Sequence, residues 1–365
     1  MSSKLENIAL QFEIEGTLKS VDPLGQGFIN DTYIVSVDNP SKRYILQRKN
    51  KNIFTNVPFM MDNIVKVSNH LKTKIVNEGG DPTRESMTII PTHEGQFYYL
   101  DEDEEYWAVC LFIEDTKAYD VADTTELVFK CGKGIGKFQS MLSDFEGELV
   151  DILPGFHNIS YRYKQWDEAI SNDVAGRVSE LSKEIEWIDS RKEEMLEFWA
   201  KVESGEIPRR VSHNDTKISN ILFDKDSNVL CVIDLDTVLS STCLNDFGDA
   251  IRTCTNTGKE DDLDLDKVSV NIEMFEAYTK GYLSEASKFL NETEKELLVF
   301  GARYIIYEQA LRFLMDYING DTYYKIKSPK HNLERTLAQC KLLESLEEQY
   351  EETCKIVKNI LNENC

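Results

Sequence analysis

Residues 211–236 read V-S-H-N-D-T-K-I-S-N-I-L-F-D-K-D-S-N-V-L-C-V-I-D-L-D, and this stretch leaves the chain few ways to fold. A polar turn, Asp224-Lys225-Asp226-Ser227-Asn228, separates the apolar run that ends at Phe223 from the β-branched run of residues 229–233. The pattern predicts strand, turn, strand. Such a hairpin carries Asn220, at the mouth of its first strand, back beside Asp234, at the exit of its second. His213, Asp215 and Asn220 stand just before it as H-x-D-x-x-x-x-N. Phosphoryl transfer from a nucleotide needs a carboxylate to accept the proton of the attacking hydroxyl, and oxygen ligands that hold Mg²⁺ on the phosphates. Asp215 fits the first role. Asn220 and Asp234 fit the second, because Mg²⁺ takes hard oxygen donors and few of them from protein. Polar residues do occur at strand ends by chance, but the spacing and the connecting hairpin together argue against chance.

At 365 residues the chain exceeds a typical single domain, so two lobes with separate cores are expected. Its 41 basic and 65 acidic side chains give 41 − 65 = −24, which argues against nucleic acid and anionic membranes as partners. A polyphosphate ligand stays compatible with that charge, since a metal ion and local cations reverse the field inside a cleft. No basic n-region with a long apolar core opens the chain, and no apolar stretch is long enough to span a bilayer. The eight cysteines are scattered without a C-x-x-C pair and read as buried thiols. A cytoplasmic protein is the expectation.

The first third reads as five strands with one helix after the early strands. Asn56 caps that helix, Pro58 sits in its first turn, and Gly79-Gly80-Asp81-Pro82 ends it. Beyond Phe112-Ile113-Glu114-Asp115 the spacing turns helical, including a charged stretch over residues 177–202 and one long final helix. The expected division is a nucleotide-binding lobe over residues 1–114 and a catalytic, substrate-binding helical lobe over 115–365. Gly132-Lys133-Gly134-Ile135-Gly136-Lys137 lacks the G-x-x-x-x-G-K-[ST] of a P-loop and reads as small residues packing one helix closely against another.

A strand-rich lobe, a hinge and a helical lobe with H-x-D-x-x-x-x-N followed by I-D is the order of a kinase fold. H-N-D with I-D-L-D resembles the aminoglycoside phosphotransferase and choline kinase superfamily more than the protein kinases. Closer still is the resemblance to bacterial N-acetylhexosamine 1-kinases, carried by G-F-I-N-D-T-Y, Y-I-L-Q-R-K-N, F-I-E-D, H-N-D-T-K-I-S-N, V-I-D-L-D-T-V, D-F-G-D-A-I-R and L-R-F-L-M-D-Y-I-N-G-D-T-Y-Y over residues 25–335. It implies an α+β, two-lobed protein-kinase-like fold: a small antiparallel sheet with one helix, then a larger, mainly helical lobe.

The same resemblance implies residue roles. Asp215 orients the acceptor hydroxyl, and Lys217 faces the transferring phosphoryl. Asn220 and Asp234 hold Mg²⁺, Asp236 supports them or a second metal, and His213 is structural. Asp246-Phe247-Gly248 spells D-F-G, yet the metal ligand belongs to the earlier I-D; D-F-G-D-A-I-R is expected as a turn into a helix, with Asp249 and Arg252 buttressing the catalytic loop. Gly25, Gly27, Asn30 and Thr32 form the phosphate-covering loop, and Ile113 and Glu114 meet the adenine edge. Mid-strand, where many kinases carry a Lys, this chain has none; Arg48 is the candidate, with Asp62 as partner, and Gln47 the alternative if parity turns it inward. Arg303, Arg312, Asp316, Asn319, Asp321, Tyr323 and Tyr324 cluster near the C-terminus, and Arg312 and Tyr323 are expected on the sugar.

The expected activity is transfer of the γ-phosphate of ATP, with Mg²⁺, to the anomeric hydroxyl of an N-acetylhexosamine. Two alternatives stay open: the same chemistry on an aminoglycoside, amino alcohol or other sugar, and a non-catalytic binder on a kinase fold. The sequence does not rank the two epimeric sugars, decide ATP against GTP, or set the oligomeric state.

Overall fold

Residues 4–25, 29–39 and 42–363 are described in a computed structural model. The chain forms two compact units. The first runs to Ala118 and adds Asp144–Pro154 and Asn220–Leu239; the second holds Tyr119–Ser143, Gly155–Ser219 and Ser240–Cys365.

In the first unit, helix α1 (Lys4–Ala9) precedes strands β1 (Leu18–Pro23), β2 (Asp31–Val37) and β3 (Arg43–Lys49). Helix α2 (Val57–Asn77) follows, then β4 (Ile89–Ile90), β5 (Tyr99–Leu100) and β6 (Tyr106–Leu111). The sheet order is β1-β2-β3-β6-β4, with β5 also on β6, and every pair is antiparallel. Tyr44 and Leu46 alternate inward on β3 and join Val35, Val37, Trp107 and Val109 beneath Ile8 and Phe12. β1 was not expected: L-K-S-V-D-P has no clean alternation, and its pairing with β2 decides it. Helix α2 begins as read, the Asn56 side chain accepting the N–H of Phe59 and a proline standing in its first turn.

The second unit is helical. It contains α3 (Thr125–Leu142), α4 (Ile159–Asn172), α5 (Ser182–Asp189), α6 (Lys192–Ser204), a short strand β7 (Arg210–Ser212), α7 (Cys243–Cys254), α8 (Ile272–Ala286), α9 (Glu292–Glu296), α10 (Leu298–Ile318), α11 (His331–Glu348) and α12 (Tyr350–Glu363). Two helical expectations need correction. Residues 177–202 are broken between α5 and α6, and the final helix is two, parted at Gln349. The glycine run behaves as read. A Cβ on Gly132 would lie 2.2 Å from the Tyr278 carbonyl oxygen, and one on Gly281 would lie 2.0 Å from that of Phe129, so α3 and α8 meet backbone to backbone.

The hairpin forms as strands β8 (Ile221–Phe223) and β9 (Val229–Val232), antiparallel, with Ile221 opposite Val232. It groups with the first unit, unlike the division expected after residue 114. Backbone pairing explains this: Lys117 donates to the Phe223 carbonyl at 2.9 Å and accepts from the Phe223 N–H at 2.8 Å. No described helix is long and apolar enough to cross a membrane.

Candidate active site

The hairpin turn is closed by Asp224, whose carboxylate accepts the N–H groups of Asp226 at 2.9 Å and Asn228 at 2.8 Å. At the open end the Ile233 N–H donates to the Asn220 carbonyl at 2.9 Å. Asn220 therefore stands beside the residue that precedes Asp234, as the strand-turn-strand pattern requires. Asp234 has a left-handed backbone, φ 62°, which turns the chain out of β9 into a single turn of 3₁₀ helix at Leu235–Thr237. Among the described residues no group of three or more His, Cys, Asp or Glu side chains forms a metal cage. A carboxylate and an amide oxygen at one hairpin mouth nonetheless fit Mg²⁺, which keeps water and phosphate for its other positions.

Asp236 points elsewhere than expected. Its carboxylate is buried and accepts from Lys49 Nζ at 2.7 and 2.9 Å and from Asn30 Nδ2 at 2.7 Å. Lys49 also donates to Gln47 Oε1 at 2.7 Å, and Gln47 Nε2 reaches Thr32 Oγ1 at 3.3 Å. Arg48 has the opposite parity, sits exposed and pairs with Asp31. Its expected partner, Asp62, pairs with Lys66 at 2.7 Å. The buried cation of β3 is thus Lys49, which the sequence reading passed over because it stands at the strand's last position. Parity was the available signal: Tyr44 and Leu46 face the core, so Gln47 and Lys49 share the other face.

Gly25 has φ 67°, a turn conformation that suits glycine. Gly27 lies outside the described residues. At the hinge, Phe112 N–H donates to the Arg43 carbonyl at 2.9 Å, and Arg43 grips the Glu114 carboxylate at 2.9 and 2.6 Å. Ile113 is buried, and its carbonyl accepts from Thr116 Oγ1 at 3.0 Å. The Glu114 side chain is thus engaged by Arg43.

In the second unit the loop before the hairpin is pinned from α7. Asp246, fully buried, accepts the N–H groups of His213 at 2.9 Å and Asn214 at 2.7 Å and the Gln139 amide at 2.8 Å. Burial pushes its carboxyl above the ordinary range, against the pull of His213 and these donors. Asp249 accepts the Thr216 N–H at 2.8 Å and is held by Arg252 at 2.8 and 3.1 Å. The D-F-G therefore buttresses the loop, though from inside a helix rather than as a turn leading into one. Asp215 follows the left-handed Asn214, φ 63°, and its Oδ2 meets Lys217 Nζ at 2.8 Å.

Of the seven residues expected near the C-terminus, the structure gathers some and parts others. Arg312 is buried at 8% exposure, with the rings of Phe156, Tyr323 and Tyr324 at 5.1, 5.7 and 5.8 Å. No hydrogen-bond or ion-pair partner meets it among the described residues. Asp316 builds the turn rather than the surface, accepting the N–H groups of Thr322, Tyr323 and Tyr324 at 2.9, 2.8 and 3.0 Å. Asp321 is tied to Arg177 at 2.7 Å, and Arg303 pairs with Glu347 at 2.8 Å. Sequence reasoning missed Phe156 and the neighbouring His157–Glu308–Arg162 network, since nothing local in G-F-H-N links it to residues 308–324.

A family model described as the phosphotransferase enzyme family matches residues 20–282, and the chain belongs to that family. Solved structures share the fold at low identity. An aminopropanol kinase associated with a microcompartment superposes with TM-score 0.61 at 15% identity, covering 96% of this chain and 97% of its own. A spectinomycin phosphotransferase in complex with ADP and spectinomycin has TM-score 0.55 at 13% identity, covering 100% and 99%. A choline kinase from Cryptosporidium parvum has TM-score 0.54 at 15% identity, covering 94% and 93%. The protein is thus a member of the phosphotransferase enzyme family, and these likenesses carry the expected α+β, kinase-like fold.

Proposed function

We propose that this phosphotransferase moves the γ-phosphoryl of ATP to the anomeric hydroxyl of an N-acetylhexosamine. What supports the chemistry is the bond from the Ile233 N–H to the Asn220 carbonyl at the hairpin mouth, one residue before Asp234, and the braced backbone around Asp215. Asp215 takes the proton of the attacking hydroxyl as its oxygen bonds to the γ-phosphorus. The bond from that phosphorus to the bridging oxygen breaks, and ADP leaves. Lys217, 2.8 Å from Asp215, supplies positive charge for the equatorial oxygens. Mg²⁺, when held by Asn220 and Asp234, neutralises charge on the phosphates. Lys49 takes over the phosphate contact first expected of Arg48, and Gly25, Gly27, Asn30 and Thr32 cover the phosphates. Ile113 and Glu114 present the hinge backbone to the adenine.

The acceptor assignment leans on Arg312. A buried guanidinium with no direct hydrogen bond or ion pair among the described residues, walled by Tyr323, Tyr324 and Phe156 and within electrostatic reach of Glu308, favours a neutral acceptor with a carbonyl oxygen over an ammonium. The second reading is an amino alcohol or aminoglycoside acceptor. It is favoured by the aminopropanol, spectinomycin and choline named for the structural neighbours and opposed by the same guanidinium. Free thiols at the seven described cysteines accord with a cytoplasmic location.

ADP release measured with a panel of N-acetylhexosamines, other hexoses, amino alcohols and aminoglycosides tests this. Turnover confined to N-acetylhexosamines and lost about 10²–10⁴-fold in Asp215→Asn is expected. Turnover only on amines replaces the acceptor; nucleotide binding without turnover on any acceptor removes the enzyme.

A further inference from the structure

A lysine that meets nucleotide phosphates has to be held in place, and in protein kinases a glutamate on the helix after the third strand holds it. That device is missing here. The one acidic residue of α2 is Asp62, which is exposed and paired with Lys66 at 2.7 Å. Lys49 is met instead from the segment that leaves the hairpin, by both oxygens of Asp236 at 2.7 and 2.9 Å. Asn30 joins the same carboxylate at 2.7 Å, while its own Oδ1 accepts the Asn50 N–H at 3.1 Å. All three side chains are buried.

We propose that Asp236 is the positioning residue of Lys49: a carboxylate two residues past the metal-binding Asp234 does the work of a helix glutamate, and Asn30 ties the phosphate-covering loop to it. The inference rests on the nucleotide reading of Lys49 given above. Its physical basis is that a buried ammonium and a buried carboxylate are each strongly disfavoured alone, so each holds the other where it stands. A phosphate arriving at Lys49 displaces Gln47 first, because an anionic oxygen attracts the ammonium more strongly than the neutral amide oxygen does. The Asp236 contacts persist and fix the ammonium. The lysine's place is thereby coupled to the segment leaving the hairpin through Asp236.

The test is ADP binding by calorimetry in EDTA, which removes any role of Asp236 as a metal ligand. It uses the full chain as wild type, Lys49→Met, Asp236→Ala and the double variant. Asp236→Ala is expected to weaken metal-free ADP binding about fivefold or more, and to change it less than about twofold once Lys49 is already Met. An equal effect in both backgrounds overturns the proposal, as does metal-free ADP binding that Asp236→Ala leaves unchanged. Tighter binding in Asp236→Ala also overturns it, since the carboxylate would then compete with phosphate for Lys49. Asp236→Asn, which keeps the side-chain shape, replaces Asp236→Ala if the latter does not melt as a folded protein. Wild-type protein that binds no ADP overturns the functional reading itself, a distinguishable result.

Discussion

Asp246 holds the backbone N–H of Asn214 at 2.7 Å from a fully buried carboxylate, while Thr216, two residues on, is held by Asp249 at 2.8 Å. Asp215 lies between these two anchors. Its carboxylate is therefore aimed by a backbone that α7 fixes on both sides. Asp246→Ala strands the N–H groups of His213 and Asn214 and the Gln139 amide, at about 1–3 kcal/mol for each group left unsatisfied. A large fall in turnover, with a lowered melting temperature and ADP affinity kept within about twofold, is the expected outcome. Calorimetric binding and steady-state rates on one preparation check it. Loss of ADP affinity as large as the loss of turnover contradicts it.

His157 Nδ1 stands 2.6 Å from Glu308 Oε2, and Arg162 reaches the other oxygen at 3.3 Å. Burial pushes the Glu308 carboxyl up, but His157, Arg312 and Arg162 outweigh burial and hold it at about 2, below the ordinary 4.5. A depressed carboxyl contributes stability that is complete above the unfolded value and lost as pH falls through the folded one. The window is therefore pH 4.5 down to about 2. Glu308→Gln is expected to cost on the order of 3 kcal/mol at neutral pH, the difference shrinking as pH falls through that window. Urea unfolding at several pH values measures it; a constant gap between variant and wild type contradicts it.

Gly281 tests the close approach of α3 and α8. A methyl group there would sit 2.0 Å from the Phe129 carbonyl oxygen, a backbone atom that cannot rotate away. Gly281→Ala is expected to destabilise the protein by about 1–3 kcal/mol through overpacking. An unchanged melting curve would show that the two helices part without cost.

Much of the site was legible because its signals are local. Asp224 to Asn228 form a turn from their own chemistry, and the β-branched run after it pairs back within a few residues, so the bond between the Asn220 carbonyl and Ile233, next to Asp234, needed no distant contact. The Asn56 cap and the glycines of α3 were legible for the same reason. Lys49 was half legible. Strand parity placed it, but its value depends on Asp236, 187 positions away, and only the folded chain joins them. The Arg48–Asp62 pair failed similarly, since each residue found a nearer partner, Asp31 and Lys66.

By itself the sequence determined which short segments become strand, turn or helix, and that the hairpin returns its exit to the backbone of Asn220, because hydrogen-bonding reach and side-chain periodicity act over a few residues. Tertiary structure decided what a long-range partner supplies: which cation of β3 is buried against a carboxylate, and which rings enclose Arg312. Buried charge forces that division. An ammonium or guanidinium taken out of water is governed by whatever faces it, and the chain's own neighbours do not reveal what that will be.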